Sequence, residues 1–165
     1  MFAWQKAPIK LTVQSDSDWA GERKTRKSVS SGNIRFGHHL LRSWSKDQSV
    51  IALSSGEAEL YAACMAAQQA MGIESMAREQ GVDLDAMELQ VDANAAIGII
   101  GRQGLGKVRH LDLSYLWLQA AVRGKQVVLR KVQSGDNMAD IGTKVLDRDT
   151  IQRHMENLGC VRFDQ

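Results

Sequence analysis

The chain has 165 residues, of which 44% are hydrophobic and 24% are charged, and its formal net charge is +2. This length suits one domain with a hydrophobic core and is short for two. No apolar run approaches the roughly 18 residues of a membrane-spanning helix, and residues 1–8 lack the apolar core of a signal peptide. Cys64 and Cys160 are too few for a disulfide framework, so we expect reduced thiols in an intracellular protein. The small positive charge permits a polyanionic partner without requiring one.

The first third of the chain has the pattern of three strands. Apolar and polar residues alternate over residues 9–15, which predicts a half-buried strand. The polar residues 21–27 are expected to form a loop. Residues 28–37 and 38–46 then have the pattern of a hairpin, so the opening part of the sheet is expected to be antiparallel.

Helices and strands alternate over the rest of the chain. Ser54 and Glu57 have the S-x-x-E spacing of a capping box, which predicts that a long helix begins at Ser54 and that Glu57 folds back toward the Ser54 amide. This helix is expected to run to about residue 80, and the next elements are a strand at 87–91, helices at 93–101 and 111–122, a strand at 126–132, and helices at 137–146 and 149–158. Strands separated by helices form parallel crossovers. The pattern therefore predicts an α/β fold with a five-stranded mixed sheet and helices on both faces.

Four acidic residues stand where such a sheet would bring them together. Asp16 follows the first strand, Glu59 lies in the first turns of the long helix, Asp92 ends the fourth strand, and Asp140 lies in the first turn of a later helix. Oxygen ligands without a Cys/His cluster favour a hard cation such as Mg²⁺ over zinc. Two such ions about 4 Å apart can activate a water and stabilise the leaving oxygen of a phosphodiester. Taken alone, each of these four residues has an ordinary structural or solvated role as its alternative. The nearby Glu57 is an example of such a role, because the capping box already accounts for it.

Six segments, taken together, resemble the ribonuclease H family, and most closely the ribonuclease H domain of copia-type retrotransposon polyproteins. They are SDSDWAG at 15–21, KTRKSVSSG at 24–32, ALSSGEAELYAA at 52–63, VDANAAIGII at 91–100, RHLDLSYLWLQ at 109–119 and NMADIGTKVL at 137–146. The resemblance implies an RNase H-like fold over residues 9–146. Residues 1–8 would be an N-terminal extension, and residues 147–165 a tail with one short helix.

The resemblance also implies an activity. The family is a metal-dependent hydrolase that cuts the RNA strand of RNA/DNA hybrids, here in retrotransposon reverse transcription and beside a reverse transcriptase domain in a parent polyprotein. Its catalytic order of Asp, Glu, Asp and Asp matches Asp16, Glu59, Asp92 and Asp140, which would bind two Mg²⁺ ions or, in their place, Mn²⁺. Integrases and transposases of the same fold have the order Asp, Asp, Glu instead. The protein would act in the cytoplasm, in a virus-like particle or in the nucleus.

Two other functions remain open from the sequence. One is an inactive RNase H-like module that binds nucleic acid or connects domains. The other is a cellular nuclease acting on a different structured nucleic acid. Retention of four mutually repelling carboxylates argues against the inactive module, because such a module has no physical need of them.

The resemblance further implies contacts with the substrate. Ser54, Ser55 and Gly56, which precede the family glutamate, would lie near the backbones of the hybrid. Asn94, two residues after the third aspartate, would read the RNA minor groove, where 2′-hydroxyls distinguish RNA from DNA. Helix capping is the alternative for Asn94.

Other polar and aromatic residues have two interpretations each. The one dense basic cluster is either a phosphate-contacting surface or a solvated loop, and it comprises Arg23, Lys24, Arg26 and Lys27. Trp19 and Trp44 are expected to pack in the core rather than to stack on the substrate.

The loop over residues 133–136 departs from the better-known bacterial and retroviral enzymes. Those enzymes carry a histidine in this loop that helps product departure, and this chain has none there. His110 lies elsewhere in the sequence, and we expect it at the surface or at a helix cap. The sequence therefore predicts slower product release than in those enzymes.

Overall fold

The computed structural model of the protein describes residues 4–6, 10–22, 24–104 and 115–160. Its elements in chain order are β1 (Leu11–Asp18), β2 (Val29–Phe36), β3 (His39–Asp47), α1 (Ser55–Glu79), β4 (Met87–Val91), α2 (Asn94–Gly101), α3 (Leu116–Arg123), β5 (Val127–Lys131) and α4 (Arg148–Asn157). Two short 3-10 helices, Ser134–Asp136 and Met138–Gly142, lie between β5 and α4. Within these described ranges, every helix is too short or too polar to cross a membrane.

The five strands form one mixed sheet in the order β3-β2-β1-β4-β5. The pairs β1–β2 and β2–β3 are antiparallel, whereas β1–β4 and β4–β5 are parallel. The predicted fold class is therefore confirmed. The central strand β1 has neighbours of both kinds, so the antiparallel and parallel parts of the sheet meet there.

The two faces of β1 have different partners. Val13 pairs with Ile34 of β2, and both are fully buried in the hydrophobic core with α1. Successive residues of a strand point to opposite faces, so Gln14 and its partner Asn33 lie on the other face. There the Oε1 atom of Gln14 accepts a hydrogen bond from the backbone amide of Met138, at 3.1 Å. Helix α1 and the 3-10 helix Met138–Gly142 thus cover opposite faces of the sheet.

Helix α1 begins with the predicted capping box, with one difference. Ser54 is the N-cap, and its Oγ accepts a hydrogen bond from the Glu57 amide at 3.2 Å. The Glu57 carboxylate accepts from the amide of Leu53 at 2.9 Å, one residue before the amide that we expected. Its other oxygen accepts from the Tyr61 hydroxyl, one turn further along the helix. Glu57 is thus bound within its own helix start.

Two expectations for the site-bearing segments are corrected. Strand β1 continues to Asp18, because β2 pairs with it as far as Val29, so Asp16 lies inside the strand rather than after it. The helix expected over residues 137–146 is a 3-10 helix of five residues. Of the helix expected over 111–122, residues 111–114 lie outside the described part, and α3 begins at Leu116.

Buried polar contacts shape the segment that follows β5. Asn137 is fully buried, and its Nδ2 donates to the Ser15 carbonyl at 3.0 Å while its Oδ1 accepts from the Ala139 amide at 3.3 Å. A Cβ on Gly142 would lie 2.2 Å from the Ser31 Oγ, so the backbone approaches β2 as only glycine allows. The segment is therefore fixed at both ends against the sheet. The tail helix expected near 149–158 is α4, and it packs against this segment.

Candidate active site

Three of the four predicted carboxylates meet at one place. Asp16 lies in β1, Asp92 directly follows β4, and Asp140 lies in the 3-10 helix Met138–Gly142. One carboxylate oxygen from each lies within 4.8 Å of the other two. They converge because β1 and β4 are parallel neighbours and the 3-10 helix packs on β1. We call these three residues the carboxylate cluster.

Glu59 of α1 lies beside the carboxylate cluster. It is 8% exposed, and its Oε1 accepts a hydrogen bond from the Ser17 amide at 3.3 Å. Its Oε2 is buried and has no hydrogen-bond partner among the described residues. Burial, followed by the negative charges of Asp16 and Asp92, raises the pKa of Glu59 to about 8. The negative charges of the cluster thus contribute to the raised pKa of Glu59, although Glu59 is not one of the three residues of the cluster.

Two carboxyl groups of the cluster, Asp16 and Asp140, have raised pKa values, chiefly because they are buried. Burial raises the pKa of Asp16 to about 6, and the nearby Asp140 charge adds to this against the opposing effects of Thr143 and Lys144. Burial also raises the pKa of Asp140, again against hydrogen bonding to Lys144. Carboxylates whose charged form is disfavoured by burial and mutual repulsion gain free energy when a cation binds. The cluster is therefore suited to cations.

Two residues of this site were missed by the sequence analysis. The Lys144 Nζ lies 3.2 Å from Oδ1 of Asp16 and 2.8 Å from Oδ1 of Asp140. The Thr143 Oγ1 donates a hydrogen bond to the other carboxylate oxygen of Asp16. The one signal in the sequence was the spacing of four residues between Asp140 and Lys144, which brings oppositely charged side chains together on a helix.

The starts of α1 and α2 lie side by side next to the cluster. A Cβ on Gly56 would lie 2.8 Å from the Cβ of Ala95, so a larger residue would push the two helices apart. Ser54, Ser55 and Asn94 are exposed at these helix starts. The predicted substrate-contacting residues other than the buried Gly56 thus share one surface.

Two side chains from the β5 end of the sheet reach this surface. The Lys131 Nζ donates to Oδ1 of Asn94 at 2.5 Å, and the Ser134 Oγ donates to Oδ2 of Asp92 at 2.9 Å. Asn94 is the first residue of α2, whose N-cap is Ala93. The Asn94 side chain therefore contacts β5 rather than acting as the N-cap.

Comparison with known proteins finds relatives by sequence and neighbours by fold. No protein-family model matches the chain. It is 27% identical over 150 residues to the retrovirus-related Pol polyprotein from transposon TNT 1-94 of Nicotiana tabacum, covering 90% of this chain and 11% of that protein. It is 25% identical over 156 residues to the corresponding polyprotein from transposon RE1 of Arabidopsis thaliana, covering 93% of this chain and 11% of that protein. The chain thus spans only a small part of the length of these relatives.

Solved structures with a similar fold are ribonuclease H domains. The N-terminal RNase H domain of a Mycobacterium tuberculosis protein, solved as a fusion with maltose-binding protein, superposes with a TM-score of 0.55 at 15% identity, over 90% of this chain and 97% of that one. LC11-RNase H1 in complex with an RNA/DNA hybrid gives a TM-score of 0.53 at 16% identity, over 81% of this chain and 93% of that one. The chain has the ribonuclease H fold. The resemblance inferred from the six segments is confirmed.

The carboxylate positions of this ribonuclease H fold are chemically suited to a divalent cation. The donor set consists of carboxylate oxygens alone, which are the ligands that Mg²⁺ and Mn²⁺ prefer. A buried carboxylate oxygen without a partner, as the Glu59 Oε2 is among the described residues, costs free energy that a bound cation would offset. Asp16, Asp92 and Asp140, with Glu59 beside them, are thus the residues that could hold a divalent cation.

Trp19 and Trp44 of this ribonuclease H fold differ in burial. Trp44 is partly buried and packs against the core, as expected. Trp19 is 48% exposed, and its Nε1 donates to the Ala52 carbonyl at 3.1 Å, so the expectation of core packing is wrong for this residue. Ala20, with a φ of 55°, turns the chain directly after Trp19.

The structure describes three of the four residues of the basic cluster, and it does not describe His110. Lys24 and Arg26 are exposed and Lys27 is half-buried, which both interpretations of the cluster allow. Arg23 and His110 lie outside the described residues. Cys64 and Cys160 are free thiols, as expected.

Proposed function

We propose that this chain is a ribonuclease H that hydrolyses the RNA strand of RNA/DNA hybrids with Mg²⁺ or Mn²⁺. The observation that carries the proposal is the convergence of Asp16, Asp92 and Asp140 with the buried Glu59 beside them. The ribonuclease H fold supports it, as does the RNA/DNA hybrid named with LC11-RNase H1. Catalysis, metal binding and the role of each carboxylate are parts of the proposal.

Each residue of the site has a part in the proposed reaction. Two bound divalent cations would supply activation of a water and stabilisation of the leaving oxygen, which gives 5′-phosphate and 3′-hydroxyl ends. Asp16, Glu59, Asp92 and Asp140 would hold the cations. Thr143 orients the Asp16 carboxylate through its hydrogen bond, and Ser134 does the same for Asp92. Both contacts restrict the rotation of a cluster carboxylate.

Recognition of the hybrid is assigned to the surface beside the cluster. Ser54, Ser55 and Gly56 are at the start of α1, where backbone amides and hydroxyls suit phosphate oxygens. Because Lys131 occupies Oδ1 of Asn94, the amide nitrogen of Asn94 is the group left to donate a hydrogen bond to the substrate. A donor suits the 2′-hydroxyl oxygens and base acceptors of the minor groove.

The proposed setting is reverse transcription. The curated relatives are retrovirus-related Pol polyproteins from transposons, and this chain matches 11% of their length. We therefore propose that the domain was joined to a reverse transcriptase in a parent polyprotein and removes genomic RNA after it has been copied. Such a domain would work inside the cell, in the cytoplasm or in a virus-like particle.

A substrate panel tests the proposal. RNA/DNA hybrid, RNA duplex and DNA duplex, each with one labelled strand, are incubated with the protein in Mg²⁺, in Mn²⁺ and in EDTA. We expect cutting of the RNA strand of the hybrid alone, and none in EDTA. Binding to the hybrid without cutting would instead support the inactive module. Cutting of RNA duplex at an equal rate would support the nuclease for a different structured nucleic acid.

A further inference from the structure

Lys144 brings a positive charge into the carboxylate cluster from the protein's own chain. Its Nζ forms ion pairs with Asp16 at 3.2 Å and with Asp140 at 2.8 Å. The Lys144 side chain is 40% exposed, whereas those of Asp16 and Asp140 are 1% and 9% exposed. The lysine thus reaches inward from the surface to two nearly buried carboxylates, where an ion pair is less screened than at the surface.

The backbone around Lys144 holds it in this position. The Lys144 amide donates to the Asp140 carbonyl at 2.9 Å, which returns the chain toward Asp140 after the 3-10 helix. The Ser45 Oγ donates to the carbonyl of Gly142 at 2.6 Å, and this anchors the turn on β3. The backbone that carries Lys144 is therefore held against the sheet, which brings its side chain within reach of both carboxylates.

The ammonium group uses carboxylate oxygens that a metal ion would also need. Lys144 contacts Oδ1 of Asp16, and Thr143 donates to the other oxygen of the same carboxylate. Both oxygens of Asp16 are thus engaged by the protein itself. Mg²⁺ binds carboxylate oxygens at about 2.0–2.1 Å. A magnesium ion held by Asp16 and Asp140 would therefore compete with the ammonium group for these carboxylates, and the two cations would repel each other.

We propose that Lys144 is the internal counter-ion of the carboxylate cluster and that a divalent cation must displace its ammonium group to bind. Lys144 is then a positioning residue. It holds Asp16 and Asp140 together before the metal binds, and because it must be displaced, it lowers the affinity of these carboxylates for the metal. The inference rests on the proposed function only in that a divalent cation binds these carboxylates. It requires nothing of the substrate or of cleavage.

Calorimetric titration with Mn²⁺ and Mg²⁺ tests the displacement without any substrate. Lys144→Met keeps the length of the side chain and removes its charge, and Lys46→Met removes the same charge from an exposed position of β3. We expect Lys144→Met to bind the cations about fivefold more tightly than the parent, as expected for loss of a competing ion pair, and Lys46→Met to change affinity less than about twofold. Circular dichroism checks that each variant is folded.

The possible outcomes separate this inference from the proposed function. If the parent binds the cations and Lys144→Met binds them equally or more weakly, Lys144 is not a competitor and the inference is wrong, while the metal site stands. If neither parent nor variant binds, both the inference and the proposed metal site are wrong.

A second experiment needs no variant. Lysine amines are labelled by reductive methylation, with and without Mn²⁺, and the extent at each lysine is measured by peptide mass spectrometry. An amine held between two carboxylates reacts slowly, so we expect Mn²⁺ to increase labelling of Lys144 and to leave Lys46 unchanged. Labelling of Lys144 that stays the same or decreases with Mn²⁺ would overturn the displacement.

Discussion

The backbone amide of Ser17 donates a hydrogen bond to Oε1 of Glu59, with 3.3 Å between the two atoms. This bond joins β1 to α1 one residue away from Asp16. The second oxygen of the same carboxylate is buried and has no partner among the described residues. The Glu59 side chain therefore links helix to strand through one oxygen, and its other oxygen is unpaired among the described residues. In Glu57, by contrast, both carboxylate oxygens accept hydrogen bonds.

Glu59→Gln is expected to abolish cleavage of the hybrid while leaving the protein folded. It is also expected to raise the free energy of unfolding in EDTA near neutral pH, because the Glu59 carboxyl, with its pKa raised to about 8, must take up a proton on folding, whereas glutamine is already neutral. A gel assay with labelled hybrid measures the first effect, and chemical denaturation in EDTA measures the second. Wild-type cleavage by this variant would remove Glu59 from the active site.

Glu57→Gln is the matched comparison, because Glu57 is 1% exposed and lies on the same helix. Its two carboxylate oxygens accept from the Leu53 amide and from the Tyr61 hydroxyl. Glutamine has one acceptor oxygen, so we expect a loss of about 1 kcal/mol in the free energy of unfolding, with cleavage retained. If Glu57→Gln were inactive and Glu59→Gln active, the catalytic glutamate would be Glu57.

The stability of the metal-free protein is expected to fall as pH rises from about 5 to about 8.5. The pKa values of Asp16 and Glu59 are raised to about 6 and about 8 from ordinary values of 3.8 and 4.5. A carboxyl group with a raised pKa in the folded state stabilises the fold below its ordinary pKa, and this contribution is lost as pH rises through the raised value. Thermal unfolding in EDTA at the two pH values measures the loss.

Glu59→Gln provides the control for this pH dependence. Its melting temperature should fall less between the two pH values than that of the parent, by about 3 °C or more, since 1 kcal/mol corresponds to about 2–4 °C in a domain of this size. Equal pH dependence in parent and variant would show that Glu59 does not carry a raised pKa.

Asp16→Asn and Asp92→Asn should each abolish cleavage and weaken binding of Mn²⁺, because each removes a negative charge from the cluster with little change in volume. Asp85→Asn makes the same change at an exposed position before β4 and should leave cleavage unaltered. Single-turnover cleavage and calorimetry measure the two effects. Cleavage at the parent's rate by both cluster variants is the result that would refute the two-metal assignment.

Asn94→Ala should reduce cleavage of the hybrid by an amount equal to about 1–2 kcal/mol, the cost of one or two polar contacts, with metal binding unchanged. Lys131→Met should cause a smaller loss in the same direction, because the Lys131 Nζ holds the Asn94 side chain through Oδ1. The cleavage rates of the parent and of both variants are compared at concentrations of hybrid below saturation. An equal loss of metal affinity in Asn94→Ala would instead make Asn94 a support for Asp92.

Gly135→His should speed multiple-turnover cleavage more than single-turnover cleavage. The loop has no histidine, and an imidazole there can exchange a proton with the leaving group near neutral pH. Gly135 accepts a side chain, because a Cβ would have no heavy atom within 4 Å among the described residues, whereas Ser134→His would lose the hydrogen bond to Asp92. Gly135→Gln is the control of similar size. Equal rates for the two variants would count against slow product departure.

Regular patterns made the carboxylate positions predictable. Asp16 lies in one strand with clear apolar alternation and Asp92 directly follows another, and Glu59 follows a capping box that fixes where its helix begins. The order of the elements then brings these residues to one part of the sheet. Such local signals suffice when the element that carries a residue is a regular strand or helix.

Lys144 and Thr143 depend on contacts that the sequence does not reveal. The pattern over residues 137–146 is that of a helix, but the buried Asn137 binds the carbonyl of Ser15 and Gly142 packs against Ser31, which limits the helix to five residues. These contacts join segments more than a hundred residues apart in the chain. Local propensity cannot foresee them, because they arise only from the packing of distant parts.

The hydrogen bond between Thr143 and Asp16 joins residues 127 positions apart, and it has a consequence for the timing of folding. Contacts of such long range form late, because the intervening chain must be ordered first. During synthesis from the N-terminus, Asp16 is made early, but its partners Asp140 and Lys144 follow only after β5. A chain that ends before residue 138 would therefore contain all five strands but only Asp16 and Asp92 of the carboxylate cluster. The carboxylate cluster is thus complete only once the segment after β5 has packed back onto β1.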